Sequence, residues 1–245
     1  MSNLAGATLI GQDLYEESAT PLHRLGQLGI DEYGNRYRYV KNGGVALVTG
    51  HLLQESAEDT NFNNMVVTSG TAGNNYFTVT LGGTAVTADL FKDGLLFVSY
   101  STGIGQTFRI TSHSVQTSTT GACTFYVDRP IKISVATSTS KVTVRKSPYN
   151  GVISSPTTCT GGVVGVALYA MTISYYGWIL SGGLCAALAD TGTNFSDAVG
   201  GVSRSAAVAG SVKPVSGAEG EIVIGESMNV TSTDSYMLAV KLFLD

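Results

Sequence analysis

The side chains best suited to acid–base, nucleophilic or metal chemistry are few: the chain has three histidines and three cysteines. His113 lies in Thr111-Ser112-His113-Ser114, which places hydroxyls on both sides of an imidazole. Neighbours along a strand point to opposite faces, so that spacing does not make a Ser/His pair. No Gly-x-Ser-x-Gly elbow occurs. Glu55, Glu58 and Asp59 cluster and could suggest paired carboxylates. Without a supporting motif they read as a solvated loop or short helical turn. Gly103-Ile104-Gly105 lacks the strand-then-helix context of a phosphate loop. Cys123, Cys159 and Cys185 are far apart and odd in number, with no ligand spacing, so neither a metal site nor a disulfide framework is expected. Unpaired thiols fit synthesis in a reducing cytoplasm. The expectation is a non-enzymatic protein with no catalytic, cofactor-binding or metal-binding residues.

Contact chemistry is better represented. In the candidate strand 35–40, Tyr37 and Tyr39 share one face and Arg36 and Arg38 the other, with Lys41 following. Tyr and Arg are favoured at binding hot spots. This segment therefore reads either as a docking strand with tyrosine anchors or as an ordinary edge strand with solvated arginines. Tyr175, Tyr176 and Trp178 form a second aromatic group, suited to a core or subunit interface, or to stacking on sugars.

Such groups must be positioned by strands. Hydrophobic residues make up 43% of the 245 residues and charged residues only 13%. The charged share is about half of the usual ~25%. Surface must then be covered by hydroxyls and the 30 glycines, or pressed against neighbours. The net charge of −4 argues against nucleic acid as a partner. The N-terminus has no basic segment leading into an apolar stretch, so a secretory signal is not evident. No charged residue lies between Lys146 and Asp190, and residues 163–180 are long and apolar enough to raise a membrane span. Their glycine, hydroxyl, tyrosine and β-branched content instead favours two buried strands.

Period-two alternation recurs at 76–81, 107–111, 123–127, 131–135, 141–145 and 237–244, and 95–100 is a compact apolar run entered through the turn pair Asp93-Gly94. The runs 131–135 and 141–145 flank a short polar loop and read as a hairpin. Further strands are expected at 163–171, 173–180, 184–188, 206–215 and 222–225. No repeat of fixed period is evident. The expected fold is all-β, a sandwich or barrel of short antiparallel strands with an extended N-terminal arm. The expected organisation is an arm and first strand over 1–44, a main β body over 45–180, and C-terminal strands over 181–245 that complete the body or form a small second barrel.

The stretch Tyr33-Gly34-Asn35-Arg36-Tyr37-Arg38-Tyr39-Val40-Lys41 resembles an N-terminal segment of tailed-phage capsid decoration proteins, where Gly-x-x-Tyr-x-Tyr-Val-Lys follows an extended arm. The run from Tyr175 to Gly183, and short strands leading through Ile224-Gly225-Glu226-Ser227 to a final strand, are similar to theirs. The chain departs from that pattern after Trp178, where Ile179-Leu180 replaces a polar continuation. The resemblance implies a cement protein on the outer capsid surface, assembled in the host cytoplasm and often trimeric, which bridges capsomers of the major capsid protein. On that basis Arg36, Tyr37, Arg38, Tyr39 and Lys41 are expected to touch the capsid, and Tyr175, Tyr176 and Trp178 to form a subunit core or interface. No cofactor, nucleic acid or membrane partner is expected. A head-fibre or tail protein that binds a receptor or glycan is the alternative.

Overall fold

The computed structural model describes residues 4–5, 12–190, 200–218, 221–229 and 236–245. In chain order its strands are β1 (Leu4–Ala5), β2 (Leu28–Asp31), β3 (Arg36–Asn42), β4 (Leu52–Gln54), β5 (Met65–Ser69), β6 (Tyr76–Thr80), β7 (Leu95–Tyr100), β8 (Thr107–His113), β9 (Ala122–Val127), β10 (Lys141–Arg145), β11 (Asn150–Ser154), β12 (Val163–Ala167), β13 (Tyr176–Leu188), β14 (Gly201–Arg204), β15 (Val212–Pro214), β16 (Gly225–Ser227) and β17 (Met237–Phe243). Apart from one 3-10 turn at Thr60–Phe62, no helix occurs among the described residues. The chain is all-β. None of its helical segments is long and apolar enough to cross a membrane. The apolar stretch 163–180 is divided between β12 and the start of β13.

The chain splits into two compact units, Met1–Ala57 with Pro148–Asp245, and Glu58–Ser147. The division falls at 57/58 and 147/148 rather than at 44 and 180. Strand pairing changes partner at these points: β5 to β10 pair only among themselves, while β4 and β11 pair within the other unit.

In the unit Glu58–Ser147, six antiparallel strands close into a barrel in the order β10-β5-β6-β9-β8-β7. Closure removes the unpaired edges that invite aggregation. Alternation sends Met65 and Val67, Phe77 and Val79, Leu96 and Val98, Phe108 and Ile110, Phe125 and Val127, and Val142 and Val144 into one buried core. Phenylalanine rings pack there edge to face: Phe62 on Phe91 at 4.6 Å and Phe77 on Phe108 at 5.2 Å between centroids.

The hairpin expected from residues 131–145 does not form. Val142 and Val144 belong to β10, paired with β5 and β7, but residues 131–135 are not a strand. Their polar groups are satisfied otherwise. Gln106 Oε1 accepts from the N–H of Lys132 and Ile133, while its Nε2 donates to the Ile133 carbonyl. Ile131 and Val135 still bury their side chains, which is why the segment alternates like a strand.

In the other unit, pairing runs β1-β2-β3-β11-β4-β12-β13-β17-β16-β14-β15, with β3 also bonded to β13. That extra pairing closes β3, β11, β4, β12 and β13 into a ring. Val40, Leu53, Val152, Val164 and Ile179 contribute its residues to one buried cluster. β13 continues beyond the ring to pair with β17 from Gly182 to Leu188, and a parallel bridge between Ala189 and Val212 brings β15 back to its end. Ala187, Val202, Val212, Ile224, Leu238 and Val240 pack together there.

The runs 173–180 and 184–188, expected as separate strands, therefore join into β13. Ser181-Gly182-Gly183 makes a bulge on the β3 side rather than a turn. Gly183 has φ +105°, and a Cβ there would lie 2.2 Å from Asn35 Oδ1. The missing side chain admits the Asn35 amide, whose Oδ1 accepts from the Leu184 N–H at 3.0 Å. Within 206–215 only Val212–Pro214 is a strand, and the strand expected at 222–225 is displaced to Gly225–Ser227.

Within the expected N-terminal arm, residues 12–27 are packed rather than free-standing. Residues 1–3 and 6–11 lie outside the described residues. From residue 12 onward the chain is packed on its own unit: Leu14 and Leu25 join the cluster of Tyr37, Tyr39 and Trp178, and β2 and β3 are sheet strands.

Candidate contact surface

β3 and β13 place most of the residues singled out by sequence. They are antiparallel neighbours, with Trp178 opposite Tyr39, Leu180 opposite Tyr37 and Tyr176 opposite Lys41. Two segments about 140 positions apart in the chain, each carrying the decoration-protein resemblance, are thus joined by one hydrogen-bond ladder.

The alternation of Tyr and Arg along β3 is as expected, but its direction is the reverse of a tyrosine-anchored docking face. Tyr37 and Tyr39 are buried. The Tyr37 hydroxyl donates to Asp31 Oδ2 at 2.9 Å. Burial works to raise the Asp31 carboxyl, but bonds from the Asn35 and Tyr37 side chains and two backbone N–H groups outweigh it and leave the pKa lowered. The Tyr39 hydroxyl donates to Gln12 Oε1 at 2.8 Å and accepts from the Leu22 N–H at 3.1 Å. Burial pushes both phenols above their usual range. These two side chains are removed from the expected contact set. Alternation identifies residues that share a face, not which face another segment covers.

Arg38 is also engaged within the unit. Its Nε and Nη2 donate to the two carboxylate oxygens of Asp245 at 2.8 and 2.7 Å, and Nη1 donates to the Gly26 carbonyl at 2.8 Å. The bidentate bond from Arg38 holds Asp245 below the usual carboxylate range. Lys41 is half-buried, with Nζ 5.5 Å from the Tyr176 ring centroid. Arg36 alone of the five is exposed.

Trp178 is fully buried, Tyr175 and Tyr176 half-buried. Tyr39 stacks on Tyr176 with centroids 6.3 Å apart, and meets Trp178 edge-on at 5.2 Å. Two neighbours of this aromatic cluster had no sequence signal. Gln12 Nε2 donates to the Tyr176 carbonyl at 3.1 Å, and the His23 ring lies 5.0 Å from Tyr39 and 5.2 Å from Trp178. Burial lowers the His23 pKa. Neither His23 Nε2 nor Trp178 Nε1 has a hydrogen-bond partner among the described residues.

What reaches solvent is the turn between β2 and β3. The Asp31 carboxylate accepts from the N–H of Tyr33 and Asn35 at 2.9 and 2.8 Å, and Gly34 takes φ +84°. This pins the turn and leaves Tyr33 82% exposed, with the exposed Arg36 three positions on at the start of β3. Tyr33 belonged to the resembling stretch, yet only the bonded turn identifies it as the exposed aromatic.

The residues weighed as catalytic candidates have partners within the chain. His113 Nδ1 donates to the Ser114 carbonyl and Nε2 accepts from the Phe91 N–H at 3.1 Å. His51 Nδ1 lies 3.2 Å from Ser154 Oγ, a Ser–His contact that sequence did not suggest. Its ring is packed against Gly210, where a Cβ would fall 2.4 Å from Nδ1. Glu58 pairs with Arg145 at 2.7 Å, Asp59 caps the 3-10 turn, and Glu55 accepts from the Gly162 N–H. No group of three metal-ligating side chains occurs among the described residues. A cavity of about 190 Å³ is lined by residues including Glu55, Tyr149, Val164 and Asp245. It is smaller than the roughly 300–1,000 Å³ of ordinary ligand sites.

No family model, curated protein or solved structure matches this chain.

Proposed function

We propose that the chain is a non-enzymatic structural virion protein that decorates and stabilises a phage capsid from outside, bridging neighbouring capsomers of the major capsid protein. The observation that carries this reading is the pairing of β3 with β13, which places the two resembling segments in one ladder. The chain's low charge and its closed six-stranded barrel suit a clamp that works by contact and gains avidity from repetition around a symmetric shell. In this reading the capsid contact lies at the β2–β3 turn, through Tyr33 and Arg36, and copies of the chain associate as a homotrimer. The test is cosedimentation of the full chain with heads lacking it. Saturable binding is expected, lost in the Tyr33→Ala/Arg36→Ala variant without change in unfolding midpoint. Absence of binding at saturating concentration overturns the reading.

A receptor- or glycan-binding role has one observation in its favour. Tyr76 and Tyr126 are cross-strand partners on the barrel exterior, 6.2 Å between centroids, beside a Thr78–Thr124 hydroxyl contact. A glycan array separates this alternative: glycan binding without head binding selects it.

A further inference from the structure

On the six-stranded barrel the outward positions are mixed: Thr78, Thr80, Thr107, Arg109, Thr111 and Thr124 lie among Tyr76, Tyr126 and Leu95. On the β13–β17 sheet, Leu188 stands opposite Met237, Ala186 opposite Ala239, Leu184 opposite Lys241 and Gly182 opposite Phe243. Directly opposed residues share a face, so these form one surface. Leu184, Met237 and Phe243 are each about half exposed, at 58%, 47% and 52%. β17 alternates without a break between exposed and buried positions, which makes the apolar exposure a property of the face and not of a frayed end. Met228, whose N–H donates to the Ala239 carbonyl, extends it.

Among the described residues, Lys241 and Glu226 are the oppositely charged neighbours on this face, and the exposed Arg36, across from Gly182, stands at its edge. Glu226 on β16 lies directly across from Lys241 on β17. No ion pair joins them among the described residues; the Lys241 ammonium instead sits 5.9 Å from the Phe243 ring centroid. A neutral apolar partner would bury both charges without compensation, which is costly. A second copy offers each charge its opposite, because the same surface carries both signs side by side. Steric form agrees. Ala186 and Ala239 make a shallow centre flanked by Met237 and Leu188 at one end and Phe243 and Leu184 at the other. Large side chains of one copy can then rest over the small ones of another, as in sheet-on-sheet packing at about 10 Å.

We infer that the outer face of β13, β17 and β16 is a self-association surface, on which Lys241 of one copy meets Glu226 of another. The inference rests on the decoration reading only in expecting copies to meet. It is tested on free protein, so its failure is distinct from failure of head binding. The experiment measures mass by light scattering and sedimentation at micromolar concentration. The wild-type chain is expected as a multimer. The Lys241→Glu and Glu226→Lys variants are each expected to be monomeric, since each brings like charges together. An equimolar mixture of the two is expected to associate again in pairs, because opposite charges then face one another across the contact, whereas a ring of three would always bring two copies of one variant together. Circular dichroism and the fluorescence of the one tryptophan check that each variant is folded. A monomeric wild type overturns the inference, as does a multimer of undiminished mass in both charge variants. A mixture that stays monomeric overturns the Lys241–Glu226 contact, and the Leu184→Lys variant then tests the face itself: unchanged mass there ends the proposal.

Discussion

Replacing Tyr39 by Phe tests whether the N-terminal segment is a packed part of its unit. The substitution keeps the ring between Tyr176 and Trp178 and removes only the hydroxyl. Two bonds go with it: the one donated to Gln12 Oε1 and the one accepted from the Leu22 N–H. A neutral hydrogen bond contributes about 1 kcal/mol net, and leaving a buried partner unsatisfied costs about 1–3 kcal/mol. Gln12 is buried, so its orphaned oxygen bears most of that cost, while the Leu22 N–H can turn to water. The expected destabilisation is about 2 kcal/mol. Because the chain has one tryptophan, and it lies beside Tyr39, urea unfolding followed by Trp178 fluorescence reports on this unit. The Gln12→Ala variant should lose part of the same interaction. The double variant should therefore cost less than the sum by about 0.5 kcal/mol or more. A Tyr39→Phe change below about 0.5 kcal/mol, or strict additivity, would refute the bonded strap and return residues 12–27 to a loosely held arm.

Three further outcomes are expected. Gly183→Ala should destabilise by about 2 kcal/mol or more, since φ is +105° and the Cβ would strike Asn35, whereas Gly34→Ala, also at positive φ but with open space around it, should cost nearer 1 kcal/mol; equal urea midpoints would contradict this. Burial lowers the pKa of both His23 and His51, so the unfolded chain binds the proton more tightly; stability should be complete above the ordinary histidine value of 6.5 and fall below it by at most about 1.4 kcal/mol per pH unit for each histidine. His23→Phe should flatten that acid slope, and an unchanged slope between pH 7.5 and 5 would remove His23 as its source. Brief alkylation of the native chain at pH 8 should label Cys159, which is exposed, and spare both Cys123, which is buried, and Cys185, whose thiol burial pushes up to about 12; a second label found by mass spectrometry would refute this.

The strand runs 76–81, 107–111, 123–127, 141–145 and 237–244 were readable because each alternates against one core, and period two is a local property of the chain; 95–100 was readable as an apolar run behind the Asp93-Gly94 turn. All-β character followed from the same pattern. The run at 131–135 carried the same pattern and misled, because buried alternate side chains do not require a strand partner when Gln106 supplies the hydrogen bonds. Likewise Ser181-Gly182-Gly183 has the composition of a turn, yet the chain continues through it as β13 with a shift in register between Leu180 and Gly182, and Asn35 of the β2–β3 turn accepts from the Leu184 N–H beside it. The aromatic cluster was half visible. Tyr39, Tyr176 and Trp178 stood out by type, but Gln12 and His23 had no local signature, since their role depends on a segment folding over β3 and β13. The orientation of β3 was beyond local pattern for the same reason: nothing between residues 36 and 41 says that residues 12–27 cover the tyrosines and leave Arg36 to solvent. Residue type and spacing specify which side chains travel together on a face. Whether that face is core, strap-covered or open is a matter of long-range pairing, because burial is a relation between segments far apart in the chain.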